Sequence, residues 1–291
     1  MGEDASVVVP ALWFILWRCR AGTLSYAVMS RWFCIVMCLV VPVLPAAAAE
    51  PDVAVAPVGW FEWAKADLDV FPERLMADAK ATFFNGDNLA LLAWAGLASV
   101  AMNNGSIDDD VADYFDRHDT FGGFSDEALF IIGSPVSHFA GAAIWYALSA
   151  ENQNDPARQR AVTMLSALTI TGAVTGGLKA IRDNDQPDGQ VWAWPSGHTS
   201  SSVAVASVLH EFYGLKVGLP AYAVAGVVGW RMMDDGDHWA SDVLFGATLG
   251  WVVGHTVARR HGQAEIAGFE VLPYYGNRET PAVGISLSRR F

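Results

Sequence analysis

Apolar and polar stretches alternate along this chain at helical rather than strand-like lengths. The runs Leu89 to Met102, Phe139 to Leu148, Ala161 to Leu178, Ser200 to Phe212, Val217 to Val228 and Val243 to Val257 are rich in Ala and Gly and are separated by polar breaks. Runs of this length favour helices over strands, so the pattern predicts an all-α helical bundle. Most are shorter than the roughly 20 residues that span a bilayer, which fits the interior of a bundle. Ala161 to Leu178 and Val243 to Val257 come close to that length, and a helix apolar all round is buried in either solvent. The pattern leaves soluble and membrane-embedded bundles both open.

The rhythm changes at both ends. Trp60 to Phe84 mixes aromatics with charges and reads as an amphipathic, partly helical opening segment. Beyond Arg260, Phe269 to Tyr275 and Val283 to Phe291 flank a turn-forming Gly276 to Pro281, and Val283, Ile285 and Leu287 alternate as in a half-buried strand. A small C-terminal β-hairpin folded onto the bundle is expected. At the other end, Arg31 precedes the apolar run Trp32 to Leu44 and then Pro45-Ala46-Ala47-Ala48-Ala49, the layout of a secretory signal peptide cleaved near Ala48 or Ala49. Met29 then offers a start of translation, and one long uncleaved anchor is the alternative. The organisation expected is residues 1–49 as extension and signal, 50–86 as linker and opening segment, 87–262 as the helical domain and 263–291 as the hairpin tail.

The whole chain has 291 residues, 53% of them hydrophobic, enough for a sizeable core. Its formal charge of −13 excludes nucleic acid as a natural partner and makes any cationic site a local one. Cys19, Cys34 and Cys38 all precede the expected cleavage point, so the mature chain would carry neither disulfide nor thiolate chemistry. Export to the cell envelope, either periplasm or a membrane facing it, follows from the signal. Asp108-Asp109-Asp110 lacks the Gly and the closing Glu of a calcium loop and reads as an acidic helix start.

Candidate chemistry is confined to the second half. Pro195-Ser196-Gly197-His198 precedes an apolar run, which puts it at a helix N-terminus, where free N–H groups and the dipole favour an anion. His238 and Asp242 lie four apart at the start of the last long helix, hence on one face. Asp242 can fix the tautomer of His238 and leave its other nitrogen to attack phosphorus. Lys179 and Arg231 each close an apolar helix, where a lone cation usually serves the dipole. Two cations, two histidines and an anion-binding turn together point to metal-free phosphoryl transfer. His138 lines the mouth of such a site or serves structure; His210, His255 and His261 read as structural. Trp192 and Trp194, beside the turn, contact an apolar part of a substrate or pack on the bundle.

These residues resemble the type 2 phosphatidic acid phosphatase superfamily, which shares its helical bundle with bacterial class A acid phosphatases and vanadium haloperoxidases. The resemblance covers roughly residues 137–260. Its first motif, Lys, six residues and Arg-Pro, stands here as Lys179 to Gln186-Pro187; the second is Pro195-Ser196-Gly197-His198; Arg231, His238 and Asp242 match the third in type. The resemblance implies that His238 is the nucleophile, Asp242 its orienting partner and His198 the acid. It further implies that Lys179, Ser196, Gly197 and Arg231 bind phosphate, with no cofactor or metal and with vanadate as an inhibitor. The expected substrate is a phosphorylated lipid, such as phosphatidate, an isoprenyl diphosphate or a lipid A phosphate, or a small phosphate ester.

Two departures stand out. Gln186 replaces the first-motif arginine, which removes a charged hydrogen bond worth about 1.5 to 3 kcal/mol. Arg182, three residues after Lys179, is the candidate to take over that charge. Trp230 replaces the serine of the third motif, and six residues rather than five separate Arg231 from His238. A broad-specificity soluble acid phosphatase, a vanadium haloperoxidase and a lipid-phosphate binder without turnover are the alternatives.

Overall fold

The computed structural model describes residues 59–262 and the strand backbone of 264–266, 269–275 and 283–288. The expected signal peptide and its cysteines lie outside the described residues. Helices follow in the order α1 (Trp60–Phe83), α2 (Gly86–Asn104), α3 (Ile107–Arg117), α4 (Phe124–Gly133), α5 (Pro135–Glu151), α6 (Asp155–Arg182), α7 (Gly197–Tyr213), α8 (Leu215–Asp234) and α9 (Ala240–His261). Each apolar run of the sequence falls inside one of them. Strands β1 (Ala264–Ile266), β2 (Phe269–Tyr275) and β3 (Val283–Ser288) pair antiparallel in that order, with Val271 opposite Leu287 and Pro273 opposite Ile285.

Local chemistry sets the boundaries. Asn85 accepts from the N–H groups of Asp87 and Asn88 to start α2, Asn154 accepts from Ala157 to start α6, and Pro135 opens α5, where its missing N–H costs nothing. Asp183, in the left-handed region at φ 42°, ends α6. Gly214, at φ 71°, turns the chain from α7 to α8, a conformation that favours glycine.

The core forms where α6, α7 and α9 meet, and includes Met164, Leu168, Ile170, Val208, Leu249, Val253 and Val257. α7 packs against α9, α8, α6 and α5. Its contact with α9 is close because a stripe of Gly246, Gly250 and Gly254 faces it. A Cβ would fall 2.7 Å from the Ser196 carbonyl oxygen at Gly246 and 2.6 Å from that of Ala204 at Gly254, and closer still to that of Ser200 at Gly250. The two helices therefore meet backbone to backbone, which fixes their N-terminal ends, and the histidines there, against each other.

α1 is held to the bundle by buried polar pairs. Fully buried Asp78 accepts from Ser166 Oγ at 2.8 Å and pairs with His261 Nε2 at 2.7 Å and Arg260 Nε at 3.1 Å. Arg74 donates to Gln159 and Thr163, and Arg158 pairs with Asp67. Such groups are tolerated inside because each finds a partner. α6 is long and apolar enough to cross a membrane, yet 56% of that apolar window is buried inside the bundle, as in a core helix. Leu89, Trp94 and Leu97 on α2 and Leu215 and Leu219 on α8 face outward.

Candidate active site

Lys179 sits in the last turn of α6. Its ammonium donates to the carbonyl oxygens of Trp192 and, at 3.0 Å, Ala193, which pins the segment leading to Pro195. Burial lowers its pKa to about 8, and the Asp242 charge opposes that shift.

From Asp183 the chain makes a tight excursion: Gln186 N–H donates to Gln190, Gly189 sits at φ 84°, and Asp185 bridges Val191. This excursion clips onto the loop between α8 and α9. Asp188 N–H donates to Gly236 O at 3.2 Å, and Trp239 Nε1 donates to Asp185 O at 2.8 Å. The Gln186 amide, turned with its nitrogen toward them, donates to Asp188 Oδ1 and Asp237 O, each at 3.3 Å. Gln186 thus joins two loops rather than supplying charge.

Ser196 caps α7. It is 0% exposed; its Oγ accepts from Thr199 N–H, and its own N–H donates to Asp242 O at 3.1 Å. Ser196, expected from the sequence to bind phosphate, has both of its donors within reach of protein acceptors here, its Oγ lying 3.0 Å from Thr199 Oγ1. Among the described residues, the N–H groups of Gly197 and His198 remain outside the hydrogen-bond network of the cap.

His198 projects from the first turn of α7 toward Phe130, its ring centroid 4.7 Å away. Its Nε2 is buried and has no hydrogen-bond partner among the described residues. Burial first, then the neighbouring His238, Arg231, His138 and Lys179, pull its pKa from 6.5 to about 4. His138 is likewise lowered to about 4 by burial, and its Nδ1 lies 3.0 Å from Ser201 Oγ.

His238 stands just ahead of α9 rather than on it, since Trp239 is the N-cap. Same-face spacing is therefore not what joins it to Asp242. The loop turns back, His238 N–H donating to Met232 O at 2.9 Å, so that Nδ1 lies 3.4 Å from Asp242 Oδ2. The same carboxylate oxygen accepts from Trp239 N–H at 2.9 Å. Both side chains are buried, and a proton on Nδ1 would make this contact a hydrogen bond to Asp242 and leave Nε2 as the nitrogen with a lone pair.

Arg231 is 4% exposed and spends its donors on carboxylates: Nε on Asp126 at 2.5 Å, Nη2 on Asp235 at 2.8 Å and Nη1 on Asp237. Burial would lower its pKa, but these partners outweigh it and raise it. Asp234 instead accepts from the N–H groups of Thr120 and Phe121. Arg231, expected from the sequence to bind phosphate, is here a buried cation matched by protein carboxylates. Arg182, the candidate to replace the charge missing at Gln186, donates to Asn103 at 3.1 Å and lies over the Trp194 ring at 5.3 Å.

Reading the sequence missed α4, which brings Asp126 to Arg231 and places Phe130 between the Arg231 guanidinium, 5.0 Å from its ring, and His198. The apolar 128–132 cluster that follows Asp126-Glu127 was a usable signal for this short helix. Trp194 packs on Phe245 at 4.4 Å, whereas Trp192 is 55% exposed. His255 pairs with Glu211 at 2.7 Å and His261 with Asp78, as structural histidines do. A groove of about 500 Å³, lined by Leu91, Val203, Tyr222, Trp230, Val243 and Trp251 among others, includes Thr199 and Met233, chain neighbours of the site. Among the described residues no three His, Cys, Asp or Glu side chains converge as a metal-ligand group.

The PAP2 superfamily model matches residues 135–265. Over 73 residues, 24% of this chain and 16% of the relative, it is 40% identical to the lipid A 1-phosphatase of Porphyromonas gingivalis, so it spans only a small part of that protein. Two solved structures are similar. One is a transmembrane PAP2-type phosphatidylglycerolphosphate phosphatase from Bacillus subtilis, with TM-score 0.47, 18% identity, 59% of this chain and 94% of that one. The other is Aquifex aeolicus LpxE, with TM-score 0.40, 19% identity, 46% of this chain and 83% of that one.

Proposed function

We propose that this chain, which belongs to the PAP2 superfamily through residues 135–265, is a phosphatase of phosphorylated lipids that works through a phosphohistidine intermediate. The observation that carries the reading is the meeting of two histidines at the N-terminal ends of α7 and α9. His238 has Nδ1 on a buried carboxylate, and His198 has a buried Nε2 without a partner.

In this reading His238 Nε2 attacks phosphorus in line while the ester or anhydride P–O bond breaks, and His198 gives its proton to the leaving oxygen. Water then attacks the phosphohistidine with His198 taking the proton back. Lys179 and the N–H groups of Gly197 and His198 stabilise the equatorial oxygens, and the protein's own charges act where a metal ion acts in other phosphatases. Arg231 has five N–H bonds, three of them engaged by carboxylates, and contributes field more than direct contact. His198 is neutral before substrate arrives; the incoming phosphate charge raises its proton affinity, so it takes up a proton from solvent or from the phosphate monoanion as the substrate binds and then serves as the acid.

Lipid rather than soluble substrates are favoured by the apolar groove beside Thr199 and Met233 and by the outward-facing Leu and Trp side chains of α2, which also support membrane association on the exported side. The test is phosphate release from phosphatidate, an isoprenyl diphosphate, lipid A phosphate and p-nitrophenyl phosphate, with His238→Ala as control and vanadate as inhibitor. Release from the lipids that vanishes in the mutant is expected. Gln186 and the carboxylates on Arg231 favour a second reading, a binder without turnover; equal inactivity of wild type and mutant across the panel would establish it.

A further inference from the structure

Asp108 opens the acidic run in the first turn of α3, yet it differs from its neighbours: Asp109 and Asp110 are exposed, whereas Asp108 is 2% exposed. A carboxylate so deep must be matched by donors. Both donors come from one residue of α9, because Ser241 N–H reaches Oδ1 at 2.9 Å and Ser241 Oγ reaches Oδ2 at 2.6 Å. The negative charge also meets the positive end of that helix.

Asp242 meets a different donor at this end of α9, the Trp239 N–H, so Asp108 is the partner that the Ser241 N–H would otherwise lack. The third polar atom of Ser241 is engaged too. Its carbonyl accepts from Ser99 Oγ at 3.2 Å, and Ser99 in turn accepts from Trp194 Nε1 at 3.0 Å, on the segment that leads into Pro195. Ser241 immediately precedes Asp242. With N, Oγ and O all tethered, the backbone that aims the Asp242 carboxylate at His238 has little freedom to rotate.

We propose that Asp108 is a positioning residue for the reaction: it clamps Ser241, and through Ser241 it holds Asp242 where it selects the tautomer and direction of His238. The inference rests on the phosphohistidine reading and adds to it a residue 130 positions from the nucleophile (238 − 108) that no motif contains. Misplacing a catalytic group by about 1 Å costs on the order of 100-fold in rate, so small movements of Asp242 suffice.

The test compares Asp108→Ala, Asp108→Asn and Ser241→Ala with wild type in the full-length protein. It reads kcat and KM on p-nitrophenyl phosphate well below the unfolding temperature, and the imidazole ¹⁵N signals of His238, assigned by their loss in His238→Gln. In Asp108→Ala, kcat is expected to fall about 10- to 100-fold with KM nearly unchanged, and the His238 signals move from one tautomer toward a mixture. Asp108→Asn keeps an acceptor for Ser241 N–H and restores most of the rate; the Asp108→Ala/Ser241→Ala double variant is no worse than Asp108→Ala, because the two side chains act through one contact. A folded Asp108→Ala protein with wild-type kcat and wild-type His238 signals overturns the proposal. Should Asp108→Ala fail to fold, Ser241→Ala decides: a lowered kcat at constant KM supports the clamp, and wild-type kcat and signals overturn it. Should wild type release no phosphate from any substrate, the phosphatase reading falls by itself. The His238 signals still decide, unchanged ones in the Asp108 variants overturning the clamp and altered ones supporting it.

Discussion

Replacing Gly250 by alanine probes the contact that sets the distance between the two histidines. The added methyl would fall against the Ser200 carbonyl oxygen, 2.9 Å from Ala204 N and 3.0 Å from Ser200 C, all backbone atoms that no rotamer change can move. α7 and α9 must separate locally, and overpacking of this kind costs about 1 to 3 kcal/mol. Against that, alanine is a better helix former than glycine by about 1 kcal/mol. Gly172 isolates the second effect, because it is exposed on α6 with nothing within 4 Å of its Cβ position. Gly172→Ala should therefore stabilise, and the two variants should differ by the packing cost. At about 2 to 4 °C per kcal/mol for a bundle of this size, their Tm values should lie roughly 2 to 12 °C apart, measured by thermal unfolding under identical conditions. Separation of the helices also pulls Asp242 O from Ser196 N–H, so kcat of Gly250→Ala should fall about 10- to 100-fold at a temperature where it is folded. Equal Tm shifts in the two variants would refute the backbone-to-backbone contact, and a wild-type kcat would refute its role in spacing the histidines.

Four further outcomes are expected. His198 and His138 titrate near 4 when folded and near 6.5 when unfolded; the unfolded chain binds more protons between those values, so stability should decline as pH falls from about 6.5 to about 4. Denaturant midpoints across that range would check it, with a flatter profile in His138→Asn. Lys179→Met should lower kcat/KM about 10- to 100-fold by removing a charged hydrogen bond of about 1.5 to 3 kcal/mol, and wild-type affinity for inorganic phosphate should weaken as pH rises through about 8. Asp126→Asn keeps an acceptor for Arg231 Nε but removes one of its matching charges, so inhibition by phosphate should strengthen roughly 2- to 10-fold, less so at high salt. Arg182→Ala, which loses a cation–π contact worth about 0.5 to 1 kcal/mol and the bond to Asn103, should leave phosphate inhibition unchanged in a competition assay.

Helix positions were legible because buried faces demand long apolar runs; even the start of α3 at Asp108-Asp109-Asp110 and the cap at Ser196 follow local rules. α4 escaped because ten residues offer too short a period, and its weight in the site comes from Asp126 and Phe130, whose partners lie far along the chain. The small-residue stripe at 246, 250 and 254 has a visible spacing of four, but its meaning depends on the helix opposite. Local sequence also assigns donors without saying who takes them. Ser196 N–H, Arg231 and Arg182 carry the right chemistry for phosphate, and each has a protein partner in the fold that the sequence did not announce.

Those partners change how the site has to recognise an anion. Around phosphate the fixed positive charge reduces to Lys179 and the N-terminal end of α7, since Arg231 faces Asp126, Asp235 and Asp237, Gln186 is neutral, and His198 is held neutral by burial. A substrate bound through a strong cationic clamp would gain as much in the ground state as in the transition state, and that gain would not raise kcat. With fewer cations, the proposed lipid reading draws affinity from the apolar part of the substrate, for which the groove beside Thr199 and Met233 is the candidate surface. In the proposed mechanism, transition-state stabilisation then falls to the groups aimed at the reacting centre: His198 as it passes its proton to the leaving oxygen, the Gly197 and His198 N–H donors, and His238 held by Asp242. Such a site should depend more on geometry than on charge, which is why the contacts that fix geometry, the glycine stripe and the Asp108 clamp on Ser241, are where substitution should be felt most.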